Sequence, residues 1–191
     1  MRAPLELRQS YRLLNHGPVV LVSAAAGGQD NVMPVAWAVP LDFEPARVAL
    51  VLSAESRTRE LIEASGELAI SVPPAAMLDA VYEAGHVSGH DVDKWGRCGL
   101  ERMRGDRVKA PLVAGCLAWM ECSVLDRSLA ERFDLFVAEV VSASVDDACF
   151  RDGEWAFPDE ARTTLHHMAA GSFFLTGRPV TAAGGRRRPA R

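Results

Sequence analysis

The chain has 191 residues, of which 49% are hydrophobic, and a formal net charge of −4 at pH 7. This length suffices for one well-buried domain, whereas an acidic chain with a pI near 5.7 is a poor nucleic-acid binder. No uncharged apolar run is long enough to span a bilayer. The cysteines (Cys98, Cys116, Cys122 and Cys149) form no C-x-x-C pair, and nothing at the N-terminus resembles a signal peptide. We therefore expect a reduced, cytoplasmic protein with no membrane role.

Composition predicts a single domain over residues 1–180 and a disordered basic tail over residues 181–191. Residues 1–17 have the apolar contacts of a lead-in helix or arm. The tail carries Arg186-Arg187-Arg188 among Gly, Ala and Pro, so it lacks the apolar side chains needed to order itself. We expect it to be a solvated end rather than a binding segment.

Three apolar, β-branched runs fill the first third of the chain: Pro18–Ala24, Val32–Val39 and Arg47–Ser53. The first is apolar on both faces, which places it deep in a sheet. Pro34 lies in the second run and cannot donate a ladder hydrogen bond, so we expect an edge strand, or a strand bulged or interrupted there. The backbone groups left free at such a strand either meet a ligand or face solvent, as at any plain edge.

Further along, strands dominate and do not alternate regularly with helices. The predicted strands are 67–72, 117–125, 133–145, 163–168 and 172–175, and the predicted helices are 57–64 and one that Pro73-Pro74 opens. The polar segment 85–110 is predicted to be a long loop. This pattern indicates a mainly β fold, a mostly antiparallel barrel with short helical decorations.

The first predicted helix has an unusual charge at its start. Ser56 is a plausible N-cap, and Arg57 and Arg59 follow in the first turn, where the helix dipole is already positive. A phosphate bound by the two guanidiniums, the free backbone N–H groups and the hydroxyls of Ser53, Ser56 and Thr58 would explain this arrangement. The alternative at this point is that both arginines simply face solvent.

Familiar catalytic motifs are absent from the sequence, and one histidine pair has metal-ligand spacing. His86 and His90 are four residues apart, with two aspartates close behind. Glycines beside both histidines disfavour the helix that this spacing requires, so we expect solvated histidines in a loop rather than a metal site. His166 and His167 are adjacent, so one is expected to face a site or the interior and the other water.

An ordered set of motifs resembles the flavin reductase-like, FMN-binding split-barrel family, of the flavoredoxin and flavin reductase type. The resemblance covers about residues 13–175 and rests on Asn31-x-Met-Pro-Val-Ala-Trp37, the strand 48–53 running into Ser56-Arg57-Thr58-Arg59, Ser88-Gly89-His90-Asp91-Val92-Asp93-Lys94-Trp95, and Leu165-His166-His167-Met168-Ala169-Ala170-Gly171. Each motif alone is weak, whereas their order and spacing together are fairly specific.

The resemblance implies an antiparallel, Greek-key-like split β-barrel that binds FMN near the interface of a homodimer. The isoalloxazine is expected against the backbone of Met33, Pro34, Val35, Ala36 and Trp37. The phosphate is expected at Ser53, Ser56, Arg57 and Thr58. Segments that approach the flavin, from the same or the partner subunit, would contribute Ser88, Lys94, Trp95, His166 and His167.

The family resemblance also implies an activity, in which hydride passes from NAD(P)H to the flavin and electrons pass on to free flavin (FMN, or FAD as substrate), a metal chelate or a partner monooxygenase. No side chain need act as acid or base, because the flavin carries the chemistry. An alternative is a non-catalytic electron carrier or flavin store. A third is an interaction domain that has lost flavin, which the retained phosphate residues oppose.

Three positions depart from the family pattern. Phe133 stands where relatives often carry His, Ala138 where they carry Gly, and Ala169-Ala170 where they carry a Gly-Gly pair. We expect these changes to alter substrate choice or turnover and to leave the phosphate site intact.

Overall fold

A computed structural model of the chain describes residues 17–182. The expected N-terminal arm and basic tail lie outside the described residues, except for residue 17 and residues 181–182. The strands are β1 Val20–Ala26, β2 Gln29–Val35, β3 Ala38–Phe43, β4 Ala46–Val51, β5 Glu67–Val72, β6 Arg102–Met103, β7 Leu112–Val113, β8 Ala118–Asp126, β9 Leu135–Val145, β10 Phe150–Arg151, β11 Glu154–Trp155, β12 Leu165–Ala169 and β13 Ser172–Leu175. The helices are α1 Arg57–Ser65, α2 Leu78–His86, α3 Lys94–Cys98 and α4 Ala130–Phe133, with single 3-10 turns at Ala75–Met77 and Glu160–Arg162.

Seven strands form one antiparallel sheet in the order β2-β1-β5-β8-β9-β4-β3, which confirms the mainly antiparallel β prediction. The sheet is not closed, and its two ends are β2 and β3. β1 lies between β2 and β5 and is buried over most of its length, as its apolar run predicted. Pro34 lies opposite Leu21 in β2, an edge strand, so the expectation of an edge at this proline is confirmed.

The second apolar run forms two strands rather than one. β2 pairs with β1 as far as Val35, opposite Val20, and the chain then passes Ala36 and Trp37 before β3 starts pairing with β4. Since β2 and β3 lie at opposite ends of the sheet order, the run has to break where it leaves one partner for the other.

The segment 85–110 is not a featureless loop, and that expectation was wrong. α3 begins there because the carboxylate of Asp93 accepts hydrogen bonds from the backbone N–H groups of Trp95 and Gly96. α3 ends at Gly99, whose φ of 66° lies in the left-handed region that glycine adopts without strain. The short strands β6 and β7 pair directly after it.

Two apolar clusters lie on opposite faces of the sheet. One packs the buried face of α1, through Leu61 and Ile62, against the sheet interior that includes Phe136. The other joins Val81 of α2 and Trp95 of α3 to residues beneath them. Both clusters draw residues from β1, so they fix α1 and α2 on either side of the edge strand β2 and leave a trough along it.

Within residues 17–182, no helix has the length and apolar character needed to cross a membrane.

Candidate functional site

A cleft of about 370 Å³ lies where the start of α1 meets β2 and the end of α2. We call it the α1 cleft. The structure brings more than half of the predicted site residues together in its lining: Met33, Pro34, Ser53, Ser56, Arg57, Thr58, Ser88 and Lys94. Residues 84–89, which span the last turn of α2 and the beginning of the loop after it, close the opposite wall.

The start of α1 is built to receive an anion. Ser56 caps the helix as predicted, because its Oγ accepts a hydrogen bond of 3.3 Å from the backbone N–H of Arg59. The N–H groups of Arg57 and Thr58 have no acceptor within the helix, since the first turn of any α-helix lacks the preceding carbonyls. These donors and the positive end of the helix dipole lie beside the α1 cleft, the usual arrangement for binding a phosphate.

Arg57 and Arg59 have different environments, and the expectation that both guanidiniums converge on one anion was wrong. Arg57 lines the cleft with its side chain 27% exposed, held by Glu60 at 2.5 Å and by a hydrogen bond to the Gln29 side chain. Arg59 is buried and donates to two backbone carbonyls, those of Leu52 and Ala130, each at 3.1 Å. It also contacts the carboxylates of Glu63 and Asp134. Only Arg57 is therefore available to a ligand in the α1 cleft.

Behind the α1 cleft, Asn31 orients Thr58. Both side chains are buried, and the Asn31 Nδ2 group donates to Thr58 Oγ1 at 3.0 Å. Gly89 packs directly on this pair, because a Cβ atom there would lie 2.3 Å from Asn31 Nδ2. Sequence reasoning used Asn31 only as the first letter of a motif and left it out of the site. A buried polar residue within the edge strand β2 was the signal that was missed.

Lys94 contributes a buried cation to the same cleft. Its side chain is almost fully buried, and its Nζ donates to the carbonyl oxygen of Ala84 at 2.7 Å, in the last turn of α2. Burial lowers the pKa of Lys94, and the nearby Cys98 thiol opposes that shift. The contact satisfies a carbonyl that the helix end leaves without a partner and holds the end of α2 against α3.

A second cleft, of about 390 Å³, continues the trough toward the β12–β13 hairpin. We call it the Tyr82 cleft. It shares Pro34, Gly85 and His86 with the α1 cleft, so the two form one trough along β2. Its remaining lining is Val19, Ala36, Val81, Tyr82, His167, Ala170, Gly171 and Phe173. Two further predicted site residues, Ala36 and His167, lie in this lining. The lining contains no Asp, Glu, Lys or Arg, and its titratable side chains of near-neutral pKa are those of His86 and His167.

Four other predicted site residues lie outside the lining of both clefts in the described part of the chain. Val35 packs in the core, and Trp95 is 1% exposed beneath the guanidinium of Arg102, 4.8 Å from its ring centre. Trp37 is 49% exposed. His166 Nε2 contacts the hydroxyls of Thr164 and Thr176, at 2.9 and 3.1 Å.

The histidines weighed as metal ligands have other contacts. His86 Nδ1 lies 2.8 Å from the carbonyl oxygen of Tyr82, and His90 Nε2 lies 3.5 Å from the carboxylate of Glu60. Among residues 17–182 there is no group of three or more His, Cys, Asp or Glu side chains placed to hold a metal ion.

Comparison with known proteins identifies the family. Residues 12–167 match the family model described as a flavin reductase like domain. The chain belongs to this family. Its seven-stranded antiparallel sheet and short helices agree with the split-barrel domains of its structural neighbours, which confirms the expected fold.

Three relatives show how far the similarity extends. An FMN-binding domain of a flavin reductases-like enzyme from Shewanella baltica OS155 is 41% identical, covers 94% of this chain and 96% of its own, and has a TM-score of 0.84. The flavoredoxin of Desulfovibrio vulgaris is 25% identical over 96% of this chain and 97% of its own, with a TM-score of 0.81. The uncharacterized protein YddH of Escherichia coli (strain K12) is 44% identical over 94% of this chain and 97% of that protein.

The hairpin at the far end of the trough accommodates one of the departures from the family pattern. Ala170 and Gly171 form the two-residue turn between β12 and β13, with φ angles of 49° and 80°. Positive φ at both positions is a type I′ turn, which glycine adopts easily and alanine with some strain. Gly171 also packs against Tyr82, since a Cβ atom there would lie 2.8 Å from its ring. Ala170 and Gly171 both lie in the lining of the Tyr82 cleft.

Proposed function

We propose that this member of the flavin reductase-like family is an FMN-binding oxidoreductase that takes hydride from NADH or NADPH and passes electrons to a second acceptor. The observation that carries the proposal is the trough along β2. It joins a helix start suited to an anion to an uncharged cleft, and the two ends of FMN are an anionic phosphate and an uncharged, planar ring.

The α1 cleft fits the phosphate end. Two backbone N–H groups of the first turn, the hydroxyls of Ser53 and Ser56, and the guanidinium of Arg57 face one space. Charge-assisted hydrogen bonds of this kind are roughly twice as strong as neutral ones. Lys94 adds positive charge deeper in the cleft.

The Tyr82 cleft and the Pro34 region fit the ring end. Each cleft, at about 370 or 390 Å³, falls within the range typical of small-molecule sites. Gly85 lets the end of α2 approach β2, because a Cβ atom there would lie 3.2 Å from the Pro34 ring. The trough floor at Pro34 is therefore narrow and apolar, as stacking of a flat ring requires.

When bound, FMN supplies the redox chemistry. The chain's own residues bind and orient: Arg57 and Thr58 fix the phosphate end, Val19 and Val81 exclude water beneath the ring end, and the backbone of β2 presents edge groups to the ring's polar side. The candidate acceptors are free FMN or FAD, a metal chelate and a partner monooxygenase.

We further propose a cytoplasmic homodimer. β3 ends the sheet with Val39, Leu41 and Phe43 exposed, the last at 91%, and Trp37 just before it is half exposed. Apolar residues along an exposed edge strand are a liability unless another chain covers them, and a second copy would do so. All four cysteines are free thiols, which fits a reducing compartment.

The test is an anaerobic mixing experiment on the protein loaded with FMN. Rapid bleaching of the flavin band by NADH or NADPH supports the reductase and identifies the donor. A band that resists both donors and bleaches with dithionite refutes the reductase and supports the electron-carrier alternative. That alternative draws on Ala170, a departure from the family pattern that lies in the lining of the Tyr82 cleft.

A further inference from the structure

We propose that a third cleft, beyond Arg57, makes the protein select FMN over FAD, because its carboxylates repel the second phosphate that FAD carries. This cleft has a volume of about 590 Å³, and we call it the Asp30 cleft. The inference rests on the proposed function, in which the phosphate of FMN lies at the start of α1. It identifies the side chains that decide which flavin this site accepts.

The three clefts follow the edge strand β2 in chain order. Ala36 lines the Tyr82 cleft, Met33 the α1 cleft and Asp30 the third cleft. Successive residues of a strand advance by about 3.3 Å, so the Asp30 cleft lies beyond the α1 cleft, opposite the Tyr82 cleft. It shares Asn31 and Arg57 with the α1 cleft, and neither of these lines the Tyr82 cleft. A group that extends from a phosphate at the start of α1, away from the flavin ring, therefore enters the Asp30 cleft.

Carboxylates outnumber guanidiniums in the lining of the Asp30 cleft. Three aspartates line it, Asp30, Asp91 and Asp93, whereas the arginines are Arg57 and Arg102. Their formal charges leave one uncompensated negative charge. The lining thus differs from the start of α1, where the helix dipole and free backbone N–H groups favour an anion.

Both arginines of the Asp30 cleft are already paired with carboxylates. Arg102 donates two hydrogen bonds to Asp30, from Nε to Oδ2 at 2.9 Å and from Nη2 to Oδ1 at 2.8 Å. Its Nη2 also lies 3.3 Å from the carboxylate of Asp93. Arg57 pairs with Glu60 at its other side, at 2.5 Å. A phosphate in this cleft would therefore compete with fixed carboxylates for each guanidinium.

Asp91 provides the negative charge that no cation balances. It is exposed, and within residues 17–182 its carboxylate makes no hydrogen bond or ion pair. The turn that carries Asp91 is fixed, because the backbone N–H groups of Asp91 and Val92 each donate to the carbonyl oxygen of Ser88 at 3.1 Å. The second phosphate of FAD would approach this carboxylate and be repelled by it.

Isothermal titration with FMN and with FAD, at about pH 8 and low ionic strength, provides the test. We expect FMN to bind to the unaltered protein about tenfold or more tighter than FAD. Part of this preference arises at α1, since FMN carries both charges on one phosphate and FAD carries one on each of two. The ratio of the Kd for FAD to the Kd for FMN, compared between variants, isolates the contribution of the Asp30 cleft.

Variants of opposite charge effect should move this ratio in opposite directions. Asp91→Asn should lower the ratio about threefold, the effect of one nearby charge in water, and about 0.5 M salt should remove most of that change. Arg102→Met should raise the ratio, because it removes a cation from the lining. Asp147→Asn is the matched control, since Asp147 is exposed and lies outside the lining of all three clefts, and it should leave the ratio unchanged.

Equal affinity of the unaltered protein for FMN and FAD overturns the proposal. A ratio that Asp91→Asn leaves unchanged also overturns it, and this exposed, isosteric change decides the matter if Arg102→Met does not fold. FMN binding with either of these results refutes this inference alone, whereas failure to bind FMN refutes the proposed function and this inference with it.

Discussion

The two arginines at the start of α1 provide a double test of the phosphate site. They lie two residues apart, yet Arg57 faces the α1 cleft and Arg59 faces the protein. Substituting each by methionine removes the charge and keeps most of the apolar stem. We expect Arg57→Met to weaken FMN binding with little loss of stability, and Arg59→Met to lower stability in the absence of FMN.

The contacts of Arg59 set the magnitude of its effect. Arg59→Met leaves the carbonyls of Leu52 and Ala130 without their donor, at about 1–3 kcal/mol for each buried acceptor. The carboxylates of Glu63 and Asp134 are 43% and 44% exposed, so their lost ion pairs add little. A total of about 2–6 kcal/mol corresponds to a fall in Tm of about 4–24 °C for a chain of this size.

For Arg57→Met, the lost contact is a charge-assisted hydrogen bond to phosphate. Such a bond contributes about 1.5–3 kcal/mol, so the Kd for FMN should rise about tenfold or more. Flavin fluorescence titration gives the Kd, and thermal unfolding of the FMN-free proteins gives the Tm. A lower Tm for Arg57→Met with unchanged Kd, or a weaker Kd for Arg59→Met with unchanged Tm, would refute the assignment.

Three further predictions concern the packing behind the site. Burial alone would raise the pKa of Glu121, but hydrogen bonds from three backbone N–H groups outweigh burial and lower the pKa. Urea unfolding near neutral pH should therefore show that Glu121→Gln lowers the free energy of unfolding by about 2–4 kcal/mol. This loss should become progressively smaller as the pH falls below 4.5, where the native carboxylate becomes protonated. A pH-independent cost would contradict this. Gly89→Ala should displace the Asn31 side chain, destabilise the fold by about 1–3 kcal/mol and weaken FMN binding. A variant with the wild-type Tm and the wild-type Kd for FMN would show that the contact between residue 89 and Asn31 is unimportant. Burial raises the pKa of Cys116 and Cys122 to about 12, so neither thiol should react with a disulfide reagent before the protein unfolds. Peptide mass analysis identifies the labelled cysteines, and rapid labelling of Cys116 or Cys122 would contradict their burial.

Local sequence signals predicted the elements they control. β5 and β13 have the bounds that their apolar patterns indicated, and Ser56 caps α1 as its position suggested. α3 was missed although both ends carried signals, Asp93 as N-cap and Gly99 as C-cap. The glycine content of the surrounding segment was given more weight than these caps.

Tertiary contacts decided what local signals did not. Residues two apart on a helix point about 200° apart, so Arg57 and Arg59 were bound to face different surroundings. Their separate roles became visible only once the carbonyl of Ala130, far along the chain, was placed beside Arg59. In the same way, the motif containing Trp95 indicated a residue near the flavin, whereas the structure places its ring in the core under Arg102. The periodicity of a sequence indicates that a side chain is buried. It does not indicate whether that side chain lies in the protein core or in a neighbouring ligand cleft.

The most direct test of the central claim compares FMN with riboflavin, which has the same ring and lacks the phosphate. Equilibrium titration of the unaltered protein should show FMN binding about 100-fold or more tighter than riboflavin, because several charge-assisted hydrogen bonds hold the phosphate. The same titration of Arg57→Met should show a smaller preference for FMN. Equal affinities for FMN and riboflavin, or a preference for FMN that Arg57→Met leaves unchanged, would contradict the phosphate site at the start of α1.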